Sequence, residues 1–178
     1  KIMREKHIPL FSIETQDPIK DFDFLGITIQ YEMCYTNILQ VLDLSGIPLY
    51  ASDRTEDDPI VMGGGPCTYN PEPVADFFDL FYMGEGETEF YHLIDLYKEN
   101  KAKGGTKRDF LEMAASIPCM YVPMFYDVTY NDNGTVKEIK CNNPNINPIV
   151  RKDIVLDFDG VAYPDKPVVP FTKVVQDR

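Results

Sequence analysis

Long apolar runs are missing from this chain, and so are most of the residues from which a self-contained catalyst is built. No stretch approaches the roughly 18–20 apolar residues of a membrane span. No secretory leader is evident either, so the sequence predicts a soluble, cytoplasmic protein with no membrane partner. Histidine is limited to His7 and His92. Neither stands near a loop serine or cysteine, and no nucleophile–base–orienter set can be assembled. The four cysteines, Cys34, Cys67, Cys119 and Cys141, fall at long, irregular intervals without a C-x-x-C pair. That pattern argues against a zinc or iron–sulfur site made within the chain and for free thiols in a reducing compartment. Positive charge is also scarce. Lysine plus arginine number 17 against 29 aspartates plus glutamates, for a net charge of −12, and without a basic cluster direct nucleic-acid binding is not expected.

What remains is an ordinary globular composition, with 178 residues of which 44% are hydrophobic, enough for one domain with a real core. Lys1 is not preceded by a methionine, and "KPVVPFTKVVQDR" closes the chain in a strand-like apolar stretch. Both ends read as cut, so a fragment of a longer protein is expected.

Strand and helix patterns alternate over the first two-thirds. Residues 22–30, "FDFLGITIQ", predict a strand apolar enough to lie inside a sheet covered on both faces. Tyr35, Ile38, Leu39 and Leu42 recur at helical spacing, with Gly46 as a left-handed cap and Pro48 blocking resumption. "IPLYA" reads as a short strand and "SDRTEDDP" as a polar loop in which Asp53 and Arg54 form at most an exposed pair. Residues 59–63, "PIVMG", predict a buried strand. A brief helix follows, with Asn70 as N-cap and Pro71 in its first position. "DLFYMG" predicts a third buried strand. The longest helix has Phe90, Leu93, Ile94 and Tyr97 as its apolar stripe and is stopped by Gly104 and Gly105. Thr106 and Asp109 resemble a capping box. From Tyr121 the texture changes to a β-hairpin turning at Asn133-Gly134, then to a proline-rich, extended connector.

The predicted class is therefore α/β, a flavodoxin- or Rossmann-like parallel sheet over residues 1–118, followed over 119–178 by the hairpin and connector. In such sheets ligands sit beyond the carboxyl ends of the strands. The loops Gly63, Gly64, Gly65, Pro66 and Gly84, Glu85, Gly86, Glu87 fall there, joined by Tyr31, Glu32 and Asn37 after the first strand. Neither loop is a P-loop or a G-x-G-x-x-G fingerprint, and the glutamates would repel a pyrophosphate. They suit hydroxyl or amide donors on a ligand or on a docked domain, and equally they suit a helix start.

The strings "IPLFSIET", "DFDFLGITIQYEMCYTNILQVLDLSGIPLYASDR", "PIVMGGGPCTYNPEPVADFFDLFYMGEGE" and "IPCMYVP" resemble the amino-terminal region of a family of uncharacterised radical S-adenosylmethionine (radical SAM) proteins. There a cobalamin-binding-like α/β domain precedes the radical SAM barrel. The resemblance implies a [4Fe-4S] cluster on a C-x-x-x-C-x-x-C loop and reductive cleavage of S-adenosylmethionine, both in a carboxyl-terminal part that this chain lacks. It also implies a strand–helix unit missing before residue 21. The D-x-H-x-x-G motif that ligates cobalt in many cobalamin proteins does not occur, which leaves cobalamin binding open. The leading expectation is an accessory domain that positions cobalamin or shapes the substrate entrance beside the barrel of the same polypeptide. The alternative is a cofactor-free docking domain, and a third reading is a free-standing flavodoxin-like binder of a flavin or other small molecule.

Overall fold

A computed structural model describes residues 2–161; the strand-like lead-in expected at 167–178 lies outside them. A short helix α1 (Ile2–Lys6) comes first, then β1 (Phe24–Thr28), α2 (Tyr35–Ser45), β2 (Ile60–Gly64) and β3 (Leu80–Tyr82). After these come α3 (Glu89–Ala102), α4 (Lys107–Ala114), β4 (Met120–Tyr121), β5 (Tyr126–Tyr130) and β6 (Val136–Cys141). Strands β1, β2 and β3 pair in parallel in that order and β4 adds antiparallel to β3, while β5 and β6 form a separate two-stranded hairpin. The chain is thus α/β with a mostly parallel, Rossmann-like sheet.

Alternation along the central strands sorts the core into two layers. Ile60, Met62, Leu80 and Tyr82 face α3 and α4 through Leu93, Phe110 and Leu111. Val61 and Phe81 face the other way, onto Ile38 and Leu42 of α2 and onto Val74 and Phe78. Both faces of β2 and β3 are dry, which is why these strands read as unbroken apolar runs. Local signals are realised as the sequence predicts. Gly46 caps α2 at φ 70°, Gly134 turns the hairpin at φ 81°, and Thr106 and Asp109 exchange both bonds of a capping box.

Elsewhere the structure corrects the sequence reading. Among the described residues β1 is an edge strand, partly exposed rather than interior. "IPLYA" forms no strand, because the carbonyls of Pro48 and Leu49 are taken by the guanidinium of Arg54. The helix expected from Asn70 is a 3-10 turn, Glu72–Phe77, with Pro71 as its cap, and another 3-10 turn, Pro66–Tyr69, precedes it. Too few residues separate Asn70 from β3 for an α-helical ladder to grow. In α3, Leu96 packs on the core beside Phe90, Leu93 and Tyr97, whereas Ile94, though partly buried, is not among the residues packed there. The first hairpin strand is broken at Pro123, so that Met120 and Tyr121 join the main sheet and pairing with β6 begins at Tyr126.

The largest departure concerns Arg54. It pairs with Asp79, 25 residues away, not with Asp53, and the two side chains are 0% and 4% exposed. Its Nη1 donates to Asp79 at 2.8 Å, its Nε to Pro48 O at 3.1 Å, and its Nη2 to Leu49 O at 2.9 Å and Phe77 O at 2.7 Å. The same Asp79 oxygen accepts the Val61 amide at 2.7 Å. Removing one partner of a buried pair strands the other charge. Arg54→Leu is therefore expected to cost roughly 3–5 kcal/mol, seen as a fall in the urea unfolding midpoint. Arg54→Lys, a point charge with no fork, should recover only part of this. A loss below about 1 kcal/mol, the range of a surface pair, would contradict this account.

Candidate functional site

At the carboxyl end of β1 the chain leaves the sheet through Ile29, whose N–H bonds Gly64 O at 2.7 Å, and the Cys67 N–H returns to Ile29 O at 3.1 Å. This closeness explains part of the glycine run. A Cβ at Gly65, which sits at φ 94°, would stand 2.9 Å from Ile29 O, and one at Gly63 would stand 2.6 Å from the Phe81 ring. Two of the three glycines thus answer to the protein's own packing. Gly64 alone has open space where a side chain would be. Tyr31 and Glu32 lie exposed at the 3-10 turn Glu32–Cys34 that leads into α2, and Pro66 and Asn37 are exposed nearby. Burial pushes the Cys67 thiol and the Tyr35 phenol up, and the charge of Glu32 adds to both.

The second loop is engaged by a segment far away in sequence. The connector returns to lay Asp153 against Gly84 in a parallel bridge. Asp153 N–H donates to Met83 O at 2.9 Å and Glu85 N–H to Asp153 O at 3.2 Å. The Asp153 carboxylate accepts from Tyr82 at 2.5 Å and from Thr88 at 2.9 Å. The Tyr82 oxygen also lies 3.0 Å from Glu85 O, but its single proton belongs to the shorter, charge-assisted bond. Burial, then Asp153, hold that phenol neutral far into the alkaline range. Glu85 accepts the Val155 N–H at 2.7 Å, so its carboxylate clamps the strap. Gly84, at φ 121°, has no room for a Cβ, which would lie 2.2 Å from Asp153 O. Gly86 and Glu87 are exposed beyond this contact.

The structure therefore places the predicted residues in three loops at the carboxyl ends of β1, β2 and β3, where Phe81, Ile29 and Asp153 take up the space left by Gly63, Gly65 and Gly84. Strand order runs β1-β2-β3-β4 with no reversal among the described strands, and reversals are where such sheets open a ligand crevice. A cleft of about 460 Å³ lies at the opposite, amino end of the sheet between Asp23, Tyr97, Lys101 and Lys107. There Tyr97 and Lys101 each bond Asp23 at 2.7 Å and hold its carboxyl below its ordinary range. Sequence reasoning missed Tyr82, Thr88 and Asp153; only the glycine at position 84 hinted that another backbone comes close.

Residues 1–123 match a family described as "Radical SAM proteins, N-terminal". Over 87 residues, 47% of this chain, the sequence is 36% identical to an uncharacterized protein of Methanocaldococcus jannaschii. The matched stretch spans 18% of that relative's length. No solved structure matches the chain.

The packing predicts opposite fates for two glycines of these loops. Gly84→Ala should displace the strap, so that the amides of Glu85, Asp153 and Val155 lose hydrogen-exchange protection. Gly64→Ala should leave them protected, and equal behaviour of the two variants would contradict the contact described.

Proposed function

The chain belongs to the radical SAM proteins as their N-terminal region, and from that premise we propose that it is an accessory α/β domain which docks on the domain that follows in the same polypeptide. The [4Fe-4S] cluster and S-adenosylmethionine belong, in this reading, to that following domain, and the chain shapes the approach to it. One observation carries the proposal. The strap that clamps Gly84 presents Ile154, Leu156 and Phe158 outward, 54%, 94% and 76% exposed. A run of large apolar side chains held open beside the carboxyl ends of the strands is characteristic of an interface surface.

The residues present do not fit a cluster. Among the described residues no three of His, Cys, Asp and Glu converge as a metal group, and all four cysteines are free thiols. They fit cobalamin poorly. His92 sits on the exposed side of α3, 3.4 Å from Glu89, and His7 lies by the carboxyl end of α2 with Leu44 and Gly46, away from both loops. The space that glycines leave at 63, 65 and 84 is filled by Phe81, Ile29 and Asp153. Of the five loop glycines only Gly64 and Gly86 leave room for a side chain, so the docking reading is preferred to the cobalamin one.

Two measurements test this. Titration of the full-length protein with hydroxocobalamin should give no saturable absorbance change; a saturable shift that Gly64→Val abolishes would restore the cobalamin reading. In the same protein, Leu156→Asp with Phe158→Asp should speed proteolytic cleavage between this domain and the next by on the order of tenfold, as expected if an apolar interface has been broken. Unchanged cleavage would remove the docking proposal.

A further inference from the structure

The motif "NPEP" enters the sequence reading as a helix start and forms no helix. Its glutamate instead closes a cleft of about 310 Å³ between the 3-10 turn Glu72–Phe77 and the root of the hairpin. Three tyrosines, Tyr121, Tyr126 and Tyr130, line it with two carboxylates, Glu72 and Asp76, and no basic residue does. The rings of Tyr121 and Tyr126 meet at 44° with centroids 4.8 Å apart, forming a corner, and Tyr130 stands 58% exposed at the rim.

The Tyr121 hydroxyl donates to Glu72 Oε1 at 2.5 Å. Burial, and then that carboxylate, push the Tyr121 phenol up. Among the described residues Glu72 Oε2 accepts no hydrogen bond, and neither Glu72 nor Asp76 has an ion-pair partner. The single bond to Tyr121 pins the turn to the sheet and accounts for those two residues alone. It does not account for Asp76, Tyr126 and Tyr130 converging on the same space. Aromatic faces carry negative charge density and gain nothing from carboxylates beside them; a cation placed among them is attracted by both.

We propose that this cleft binds an organic cation the size of a methylated ammonium or guanidinium group. Tyr126 and Tyr130, the more exposed rings, supply the cation–π contact, Glu72 the counter-charge and hydrogen-bond acceptor, and Asp76 a second negative charge at the edge. The site is separate from the glycine loops and from the docking strap, and it does not depend on the function proposed above.

The full-length protein, carrying ring-labelled tyrosine, would be titrated at constant ionic strength with choline, with its neutral isostere 3,3-dimethylbutan-1-ol and with N-acetylarginine amide. At least one cation should shift a subset of tyrosine signals saturably, with a millimolar dissociation constant. Glu72→Gln should weaken that binding on the order of tenfold, and Tyr130→Ala, an exposed position that leaves the fold intact, about threefold or more. Preference for choline would identify a free small molecule as ligand, and preference for the arginine derivative a peptide side chain. The proposal is overturned if neither cation saturates by about 50 mM, if the neutral isostere binds as well, or if both variants bind like the parent.

Discussion

One guanidinium holds the connections of this sheet together. The two links that carry the chain from α2 to β2 and from β2 to β3 contain only turns and 3-10 segments, which leave carbonyls without regular partners. Arg54 gathers three of these, from Pro48, Leu49 and Phe77, and neutralises itself on Asp79. Buried charge is tolerated here because every arm of the fork is used and the carboxylate is also bonded by a backbone amide. Asp79 in turn fixes register. Its carboxylate takes the Val61 N–H and its own N–H returns to Val61 O at 2.9 Å, which sets β3 against β2. From that register follow the contact of Gly63 with Phe81 and the height at which both glycine loops emerge.

What the sequence made legible was what neighbouring residues decide among themselves. Gly46, Asn133-Gly134 and Thr106 with Asp109 act over two to four positions, and all three read correctly. The buried runs of β2 and β3 also read correctly, since a strand covered on both faces needs no partner to be recognised. The misread stretches each depend on something distant. "IPLYA" has strand-forming side chains but gives its carbonyls to Arg54. The turn after Gly65 has good helix-start residues, yet Asp79 must reach Val61 too soon for a helix to grow. Arg54 itself looked like a surface charge because nothing within a few residues reveals an acid 25 positions away.

The candidate site was legible to the same degree. Its position beyond the carboxyl ends of the strands followed from the strand–helix alternation, whereas its occupants did not. Gly63 and Gly84 look alike in sequence, each as a glycine ending a buried strand. The first is small because a phenyl ring lies 2.6 Å from where its Cβ would be, the second because the backbone of Asp153 lies 2.2 Å from that point. A glycine run signals that something approaches closely without saying whether it is a ligand or the protein itself. Here it is largely the protein.

That distinction bears on how such a domain can act on a neighbour. A loop emptied for a ligand responds to the ligand's concentration; a loop closed by a strap responds to whatever pulls on the strap. The bridge at Gly84 joins β3, through Met83 and Glu85, to a segment whose next side chains are Ile154, Leu156 and Phe158. Were those side chains to dock as proposed, docking would be linked to order in the Gly84 loop, because adjacent residues of one short segment, Asp153 and Val155, make the loop contacts. Tyr82 anchors the linkage to the core, its ring buried in the sheet and its hydroxyl on Asp153. Such coupling requires no ligand at the glycine loops. It would be reciprocal, so a partner gripping the strap, as proposed, would stiffen the loop, and a loosened loop would weaken the grip.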